Sequence, residues 1–345
     1  VALGTIADLV PLQGINRILT KAGLEVINGQ RRVGVEALCR SGMGSFGPRS
    51  EISVNDIAYK IMPRINAMGR MSRADKAVHL LVTDNVSTAS SLVDELDRVN
   101  AHRKYVQTQL FEDTDRLAEE LVRNNKNSLV LAGRSWHLGV LGIIASQLAA
   151  KYHRPTILLS IMDEKIKGSG RGIEGLNLYE ALKACEEFLE QYGGHANAAG
   201  LSVSHANIEP FRQKFETTVR EMLNRRDRTT RLLYDTITSV DDIFDHNFLH
   251  YFRKIEPFGN GNPEPVFVLK EQELDSARIV GGNHMKFTVK GNVLKKEGIG
   301  FGFGFLLTEM KKSHRFSLAC NLQYNQFRGK EQWELQLVDA SVYKA

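Results

Sequence analysis

The sequence predicts an α/β chain that ends in a small all-β domain, and three features of its hydrophobic pattern predict it. Between residues 128 and 223 short apolar runs alternate with amphipathic stretches, the pattern of strands and helices in layers. Ahead of that region, residues 86–124 keep a helical period without a proline or glycine. Beyond residue 265 the period changes to two.

Taken in order, residues 3–11 read as a buried strand running into a loop, with Leu3, Ile6, Leu9 and Val10 apolar and Pro11 closing it. Asp8 falls at the end of that strand. A carboxylate there either holds a metal or caps a helix, and a lone one defaults to capping. Ile15, Ile18, Leu19, Leu24 and Ile27 have helical spacing, a further helix covers 35–40, and a Gly/Ser-rich loop follows at 41–50. The stretch 54–62 is helical and meets Pro63. Arg64, Asn66 and Arg70 then flank small residues, and arginine offers a planar fork suited to phosphate. Residues 74–81 give another short helix. In the long helix, Asn100, Arg103 and Lys104 form a polar stripe that either faces nucleic acid or is simply solvated.

In the α/β region, 128–132, 156–160 and 201–204 read as strands, and 143–152, 178–189 and 208–223 as helices. Two glycine-rich segments, read as turns, stand out. Lys167-Gly168-Ser169-Gly170-Arg171-Gly172 carries a hydroxyl and a guanidinium, and Gly193-Gly194-His195-Ala196-Asn197-Ala198-Ala199-Gly200 carries an imidazole. Together they offer backbone N–H groups, a hydroxyl, a fixed positive charge and a histidine, the equipment for gripping a phosphate ester. Either segment alone is equally well an ordinary glycine turn.

A charged linker at 224–228 and the turn-rich bridge 256–265 lead into six short strands, near 266–269, 276–280, 285–289, 299–303, 316–324 and 333–338. That number of strands in so short a stretch predicts a small closed barrel of the OB type. Arg278, Lys286, Phe287, Lys290, Lys295, Phe327 and Arg328 supply the mix of basic and aromatic side chains used on single strands, although aromatics at strand spacing also build cores.

With 345 residues the chain has room for several domains and a sizeable core. Its 42% hydrophobic and 25% charged residues are ordinary for a globular protein, and no apolar run approaches a membrane span. The formal net charge of +5 is compatible with a polyanionic partner. Cys39, Cys185 and Cys320 lie far apart without C-x-x-C spacing, which points to a reducing compartment, buried thiols and no zinc site of their own.

Five motifs occur in order: Gly4-Thr5-Ile6-Ala7-Asp8-Leu9-Val10-Pro11-Leu12; Arg64-Ile65-Asn66-Ala67-Met68-Gly69-Arg70; Trp136-His137-Leu138-Gly139-Val140-Leu141-Gly142-Ile143-Ile144-Ala145-Ser146; Gly193-Gly194-His195 with Ala198-Ala199-Gly200; and Pro257-Phe258-Gly259-Asn260-Gly261-Asn262-Pro263-Glu264-Pro265. On these, nearly the whole chain closely resembles the RecJ single-strand-specific exonucleases of the DHH phosphoesterase superfamily. The resemblance implies the C-terminal part of a DHH catalytic domain at 1–85, a long connecting helix at 86–126, a DHH-associated α/β domain at 127–224 and an OB-fold at 228–345.

It further implies a 5′–3′ exonuclease of DNA repair and recombination that releases mononucleotides from single-stranded DNA with Mn²⁺ or Mg²⁺ in a two-metal site. Asp8 matches the last metal-ligand aspartate. Arg64, Asn66 and Arg70 match a motif lining the catalytic cleft, where Arg64 or Arg70 would neutralise the scissile phosphate. Ser169 and Arg171 match a turn expected to hold the 5′-phosphate. Gly193, Gly194 and His195 match the motif that positions the terminal nucleotide, and His137 lies in a matching segment. Arg278, Lys286 and Phe287 would contact DNA.

The pattern departs from the family in one respect. No Asp-His-His triplet occurs, and the upstream aspartate motifs are absent as well. The expectation is therefore a RecJ-like sequence short of about half of its catalytic domain, inactive alone but able to bind single strands. By the resemblance its setting is cytoplasmic, without a membrane, as a monomer, with single-strand-binding protein and a RecQ-type helicase as partners. Two alternatives remain: a DHH-family phosphodiesterase acting on short oligonucleotides or cyclic dinucleotides, and a non-catalytic single-strand-binding scaffold.

Overall fold

A computed structural model describes residues 1–30, 32–44, 51–162, 165–223, 232–310, 315–327 and 330–342. The charged linker at 224–228, part of the 41–50 loop and Arg328 fall outside the described residues. Among the described residues no helix is long and apolar enough to cross a membrane.

The chain begins with helices α1 (Ala2–Ala7), α2 (Gly14–Asn28) and α3 (Val33–Met43). Next come α4 (Val54–Asp56), a π-helical turn (Ile57–Ile61), α5 (Met62–Met71), α6 (Asp75–Val82) and the 38-residue α7 (Val86–Arg123). The α/β region holds β1 (Leu129–Arg134), α8 (Leu138–Tyr152), β2 (Thr156–Met162), β3 (Lys165–Arg171), α9 (Leu178–Lys183), β4 (Gln191–His195), β5 (Ala198–Val203) and α10 (Ile208–Leu223). The last third holds β6 (Thr236–Thr238), α11 (Val240–Ile243), α12 (His246–Lys254), β7 (Phe267–Gln272), β8 (Leu274–Val280), β9 (His284–Lys290), β10 (Lys295–Gly300), α13 (Leu306–Met310), β11 (Phe316–Phe327) and β12 (Lys330–Val342).

The first segment departs from its expected strand. Ala2, Thr5 and Ile6 are buried, the three- and four-residue spacing of one helical face, whereas Leu9 is exposed. Asp8 is the C-cap of α1; its N–H donates to Gly4 O at 3.0 Å, and the Leu9 N–H donates to Ile6 O at 3.3 Å. Pro63 does not end a helix either. The π-helical turn stands immediately before it, and that wider turn absorbs the missing donor, so Arg64–Arg70 lies within α5.

Contacts divide the chain into two compact units, Val1–Arg32, Gly42–Met62 and Arg231–Ala345 forming one, and Val33–Ser41 with Pro63–Thr230 the other. In the second unit five strands run in the order β1-β2-β3-β5-β4, with only β1 and β2 parallel. One core, built on Ile157, Leu159, Leu178, Leu201, Phe211 and Phe215, involves α9 and α10. Another, built on Leu129, Leu158, Val140, Leu141, Ile144 and Leu148, joins α8 to Leu110 and Ala118 of α7. Both glycine-rich segments read as turns are strands here. Ser169 and Arg171 alternate with glycines along β3, and Gly193, Gly194 and His195 complete β4.

In the first unit seven strands run in the order β6-β7-β11-β12-β10-β9-β8. Edge strands β6 and β8 are not paired with each other, so the described residues do not form the expected closed barrel. Phe252, Phe267, Leu269, Phe287, Leu318 and Leu335 lie in its core. Arg253 stacks over Tyr324 at 4.4 Å and Trp333 at 5.4 Å, covering one edge of that core. Within the same unit the bridge after α12 folds back on the first loop. Leu12 N–H donates to Asn260 O at 2.6 Å, Gln13 Nε2 to Gly261 O at 2.6 Å, and Asn260 Nδ2 to Leu9 O.

Candidate functional site

The candidate site of the second unit is built on three strands and one helix. In the β3–β5 pairing Ser169 lies opposite Gly200 and Arg171 opposite Ala198. In the β4–β5 pairing Gly193 lies opposite Gly200 and His195 opposite Ala198. Paired residues project to one face of a sheet. Arg171, Ala198 and His195 therefore make one row, and Ser169, Gly200 and Gly193 the next. The glycines leave bare backbone beside the Ser169 hydroxyl, and His195 stands two strand spacings, about 10 Å, from Arg171. Gly193, Gly194, His195 and Gly200 are all exposed. Gly194 needs its lack of a side chain, because at φ +146° a Cβ would come within 2.3 Å of Ala198 O.

The α8 helix lies against β3 at this row. Arg171 Nη1 donates to Ser169 Oγ at 3.2 Å and to Gly170 O at 2.8 Å. A Cβ on Gly142 of α8 would lie 2.8 Å from Arg171 Nη2 and 3.1 Å from Ser169 Oγ. Arg70 of α5 donates to Gly139 O at the first turn of the same helix, 3.1 Å away. His137 is the N-cap of α8, and its Nδ1 accepts from the Gly139 N–H at 3.1 Å. The ring of His137 thus has a capping role and remains exposed. A cavity of about 820 Å³ opens beside it, with Arg70, Arg134, Trp136, His137, Met162 and His205 in its lining.

The electrostatics are one-sided. Neither Arg70 nor Arg171 forms an ion pair among the described residues. Burial first, and then repulsion from Arg70, hold the Arg171 guanidinium below the usual arginine range. Arginine stays charged through such a shift, so the cleft carries uncompensated positive charge.

Other expectations are corrected. Arg64 is half-buried, and its Nε donates to Asp97 Oδ1 at 2.6 Å and to Ser41 Oγ at 3.2 Å. Its charge is neutralised within the protein, so it is a bracing residue rather than a free phosphate clamp. Asn66 is exposed on α5. Phe287 is 1% exposed in the core of the first unit and offers no face to nucleic acid. Lys286 is ion-paired with Glu297 at 2.9 Å, while Arg278 is exposed on edge strand β8. Among the described residues, exposed rings in that region include Phe301, Phe305 and Tyr324, which the reading of basic and aromatic residues did not single out. Asp8 is exposed, and no group of three or more His, Cys, Asp or Glu side chains able to hold a metal occurs among the described residues. These residues do not by themselves fit a two-metal centre.

Sequence reasoning passed over two residues of the second unit. Gly142 was visible only as part of a motif. Arg103 was read as part of a stripe, and the signal for it was the spacing of Asn100, Arg103 and Gln107 along one face of a helix.

Known proteins share domains and fold with this chain. Residues 125–221 match the DHHA1 domain and 234–339 the RecJ OB domain. The chain is 31% identical over 345 residues to the single-stranded-DNA-specific exonuclease RecJ of Bacillus subtilis, covering 99% of this chain and 43% of that protein. It is 33% identical to the Salmonella typhimurium RecJ, covering 98% of this chain and 60% of the relative. The crystal structure of RecJ from Thermus thermophilus in complex with Mn²⁺ superposes with a TM-score of 0.82 at 31% identity, over 100% of this chain and 49% of that one. A second structure of the Thermus protein contains Mg²⁺. The chain spans about half the length of the curated relatives it matches. With both domains in order and an alignment running nearly end to end, this chain is similar along its length to about half of the RecJ single-stranded-DNA-specific exonucleases.

Proposed function

We propose that this chain supplies the strand-gripping part of a 5′–3′ exonuclease that hydrolyses single-stranded DNA to 5′-mononucleotides in DNA repair and recombination. The observation that carries the reading is Ser169 beside the bare backbone of Gly200 and Gly193, with Arg171 in the neighbouring row and His195 two strands from it. Ser169 and Arg171 hold the terminal 5′-phosphate through a hydroxyl and a fork of N–H donors. His195 and the glycine backbone take the terminal nucleotide, and Arg70 faces the next phosphate. Fixing the end in this way fixes which bond is cut. The β-rich C-terminal domain holds the downstream strand through Arg278 and exposed rings.

A divalent ion, Mn²⁺ or Mg²⁺, would supply water activation in the complete site, and Asp8 would be a ligand that residues of this chain contribute to it. Residues 1–85 correspond in this reading to the C-terminal part of the DHH domain. The protein works in the cytoplasm as a monomer, with single-strand-binding protein and a RecQ-type helicase as partners.

The test is release of mononucleotides from labelled single-stranded DNA with Mn²⁺, using this chain and a fusion carrying the upstream aspartate and Asp-His-His motifs of a relative. Only the fusion is expected to cut, while the chain alone binds single strands with an affinity that falls as salt rises. Robust cutting by the chain alone overturns the assignment of the missing ligands. Binding without cutting by either form moves the scaffold reading ahead.

A further inference from the structure

Helix α1 ends on a leucine where glycine is the rule. The Leu9 N–H donates to Ile6 O at 3.3 Å and the Val10 N–H to Thr5 O at 3.0 Å, the paired bonds of a Schellman motif. That motif needs a left-handed residue after the cap, and Leu9 supplies it at φ +53°. A Cβ makes this conformation costly. Among the described non-glycine residues with positive φ, Leu9 alone is apolar; the others are Gln30, Asn125, Ser135, His153 and Glu271. Its side chain is exposed, so its own burial does not offset the strain. Strain of this kind persists only where the surrounding structure over-determines it.

The restraint comes from the bridge 256–265 of the same unit. Asn260 and Gly261 form the tip of a tight turn, closed by the Gly259 N–H to Asn262 O at 2.9 Å and the Asn262 N–H to Gly259 O at 3.1 Å. Asn262 Nδ2 fixes the base of that turn by donating to Ile255 O at 3.1 Å and Pro257 O at 3.0 Å. The turn is pressed against Pro11 and Leu12. A Cβ on Gly259 would lie 2.7 Å from Leu12 Cδ1, and one on Gly261 3.0 Å from Pro11 Cβ. From this tip Asn260 Nδ2 donates to Leu9 O, the carbonyl of the strained residue, while Asn260 O accepts from the Leu12 N–H. Arg17 of α2 ties down the start of the bridge, its Nη2 donating to Lys254 O at 3.0 Å and Glu256 O at 2.9 Å.

We propose that Asn260 is a positioning residue: by holding Leu9 O it keeps the left-handed turn, and with it the direction of the Asp8 carboxylate, in place. Asp8 stands between α1 and Leu9, at φ −91° and ψ 9°, so the helix on one side and the strained turn on the other set the course of its backbone. Without the bond, leucine relaxes toward the right-handed and extended regions it prefers, and the end of α1 opens. This rests on the functional reading above, in which Asp8 belongs to the reaction centre. A displacement of about 1 Å at such a centre costs up to about a hundredfold in rate. A glycine at position 9 holds the left-handed region without restraint, and therefore makes the Asn260 bond dispensable.

The test is hydrogen exchange at the Val10 amide of the whole chain, in the wild type and in the N260A, N260D, L9G and L9G/N260A variants. N260A is expected to lower the protection of that amide about tenfold, and L9G/N260A to keep it within about threefold of L9G. If N260A fails to fold, N260D decides, since a carboxylate keeps the size of the side chain but cannot donate to Leu9 O. The second readout is cleavage of single-stranded DNA by the fusion described above. There N260A is expected to lower kcat about tenfold with KM within about twofold, and L9G to recover the rate. Unchanged Val10 protection in both Asn260 variants, or a loss that L9G does not repair, overturns the clasp. A fusion that cuts with kcat unaltered by N260A overturns the positioning role and leaves the functional reading intact. A fusion that cuts no DNA overturns that reading and this role together.

Discussion

Arg171 lies so close to Gly142 that a single methyl group on the helix would come within 2.8 Å of its Nη2 and 3.1 Å of Ser169 Oγ. The position of the guanidinium therefore depends on what a residue of α8 lacks. Substituting Gly142→Ala is expected to preserve or raise stability, because alanine gains about 1 kcal/mol over glycine inside a helix. The same change displaces the Arg171 fork, and affinity for 5′-phosphorylated single-stranded DNA is expected to fall about tenfold. Thermal melts and anisotropy titrations on one sample separate the two effects. Unaltered affinity would remove Arg171 from the phosphate site.

Phe287 and Arg278 lie on neighbouring strands, Phe287 directed into the core and Arg278 exposed at the edge. Phe287→Ala is expected to cost about 3–5 kcal/mol, read by urea unfolding, as a buried ring is lost. Arg278→Ala is expected to leave stability within about 0.5 kcal/mol. It should also lower the slope of log affinity against log salt by about one if that edge tracks the strand. Equal effects of the two substitutions on stability would contradict the burial described.

Glu216 joins α10 to the start of β1. It accepts from the Asn127 N–H at 2.8 Å and Nδ2 at 3.0 Å, and from the Ser128 N–H at 2.9 Å and Oγ at 2.6 Å. Burial alone would raise its carboxyl, but the four hydrogen bonds outweigh burial and hold it below the usual glutamate range. A carboxyl depressed on folding stabilises the protein above its unfolded value, near pH 4.3, and that contribution is lost as pH falls through the folded value. Stability measured against pH is expected to show this acid-side loss, and Glu216→Gln to flatten it at a cost of about 1–3 kcal/mol at neutral pH.

Cys39, Cys185 and Cys320 are all buried and free. Burial pushes the Cys39 and Cys185 thiols up to about 11, and Cys320 higher still. A chromogenic disulfide reagent at pH about 8 is expected to find no fast-reacting thiol in the native chain and three after denaturation. A fast-reacting native thiol would mean that one of these sites opens locally.

The pattern of the sequence carried the helical elements well where the period was long. Residues 86–124 gave α7 without a break, and 208–223 gave α10 with the same bounds. It failed where local composition serves two conformations. Glycines mark turns, but in Lys165–Arg171 they alternate with Ser169 and Arg171 to bring both side chains to one face of a strand. The segment 3–11 was too short to distinguish a period of two from 3.6, and Ala2, Thr5 and Ile6 chose the helix. Phe287, at strand spacing, was a core residue, as its alternation with buried Met285 and Val289 implies. Arg103 was on the page as a stripe, but no one-dimensional pattern reports that its partners are the amides of Asn100 and Gln107 rather than carboxylates.

The bond from Leu12 N–H to Asn260 O has a consequence for synthesis. The unit that it closes is assembled from the beginning and the end of the chain, with most of the second unit emerging between them. At about 5–20 residues per second the ribosome needs roughly 10–50 s to deliver Asn260 after Leu12. For that interval the opening helices lack the loop that receives them, and Ile15 and Ile18 are apolar and exposed even in the finished fold. Through that interval the second unit has all of its residues and can fold, while α2 carries exposed apolar side chains without its partner loop, which makes this helix a natural stop for a chaperone.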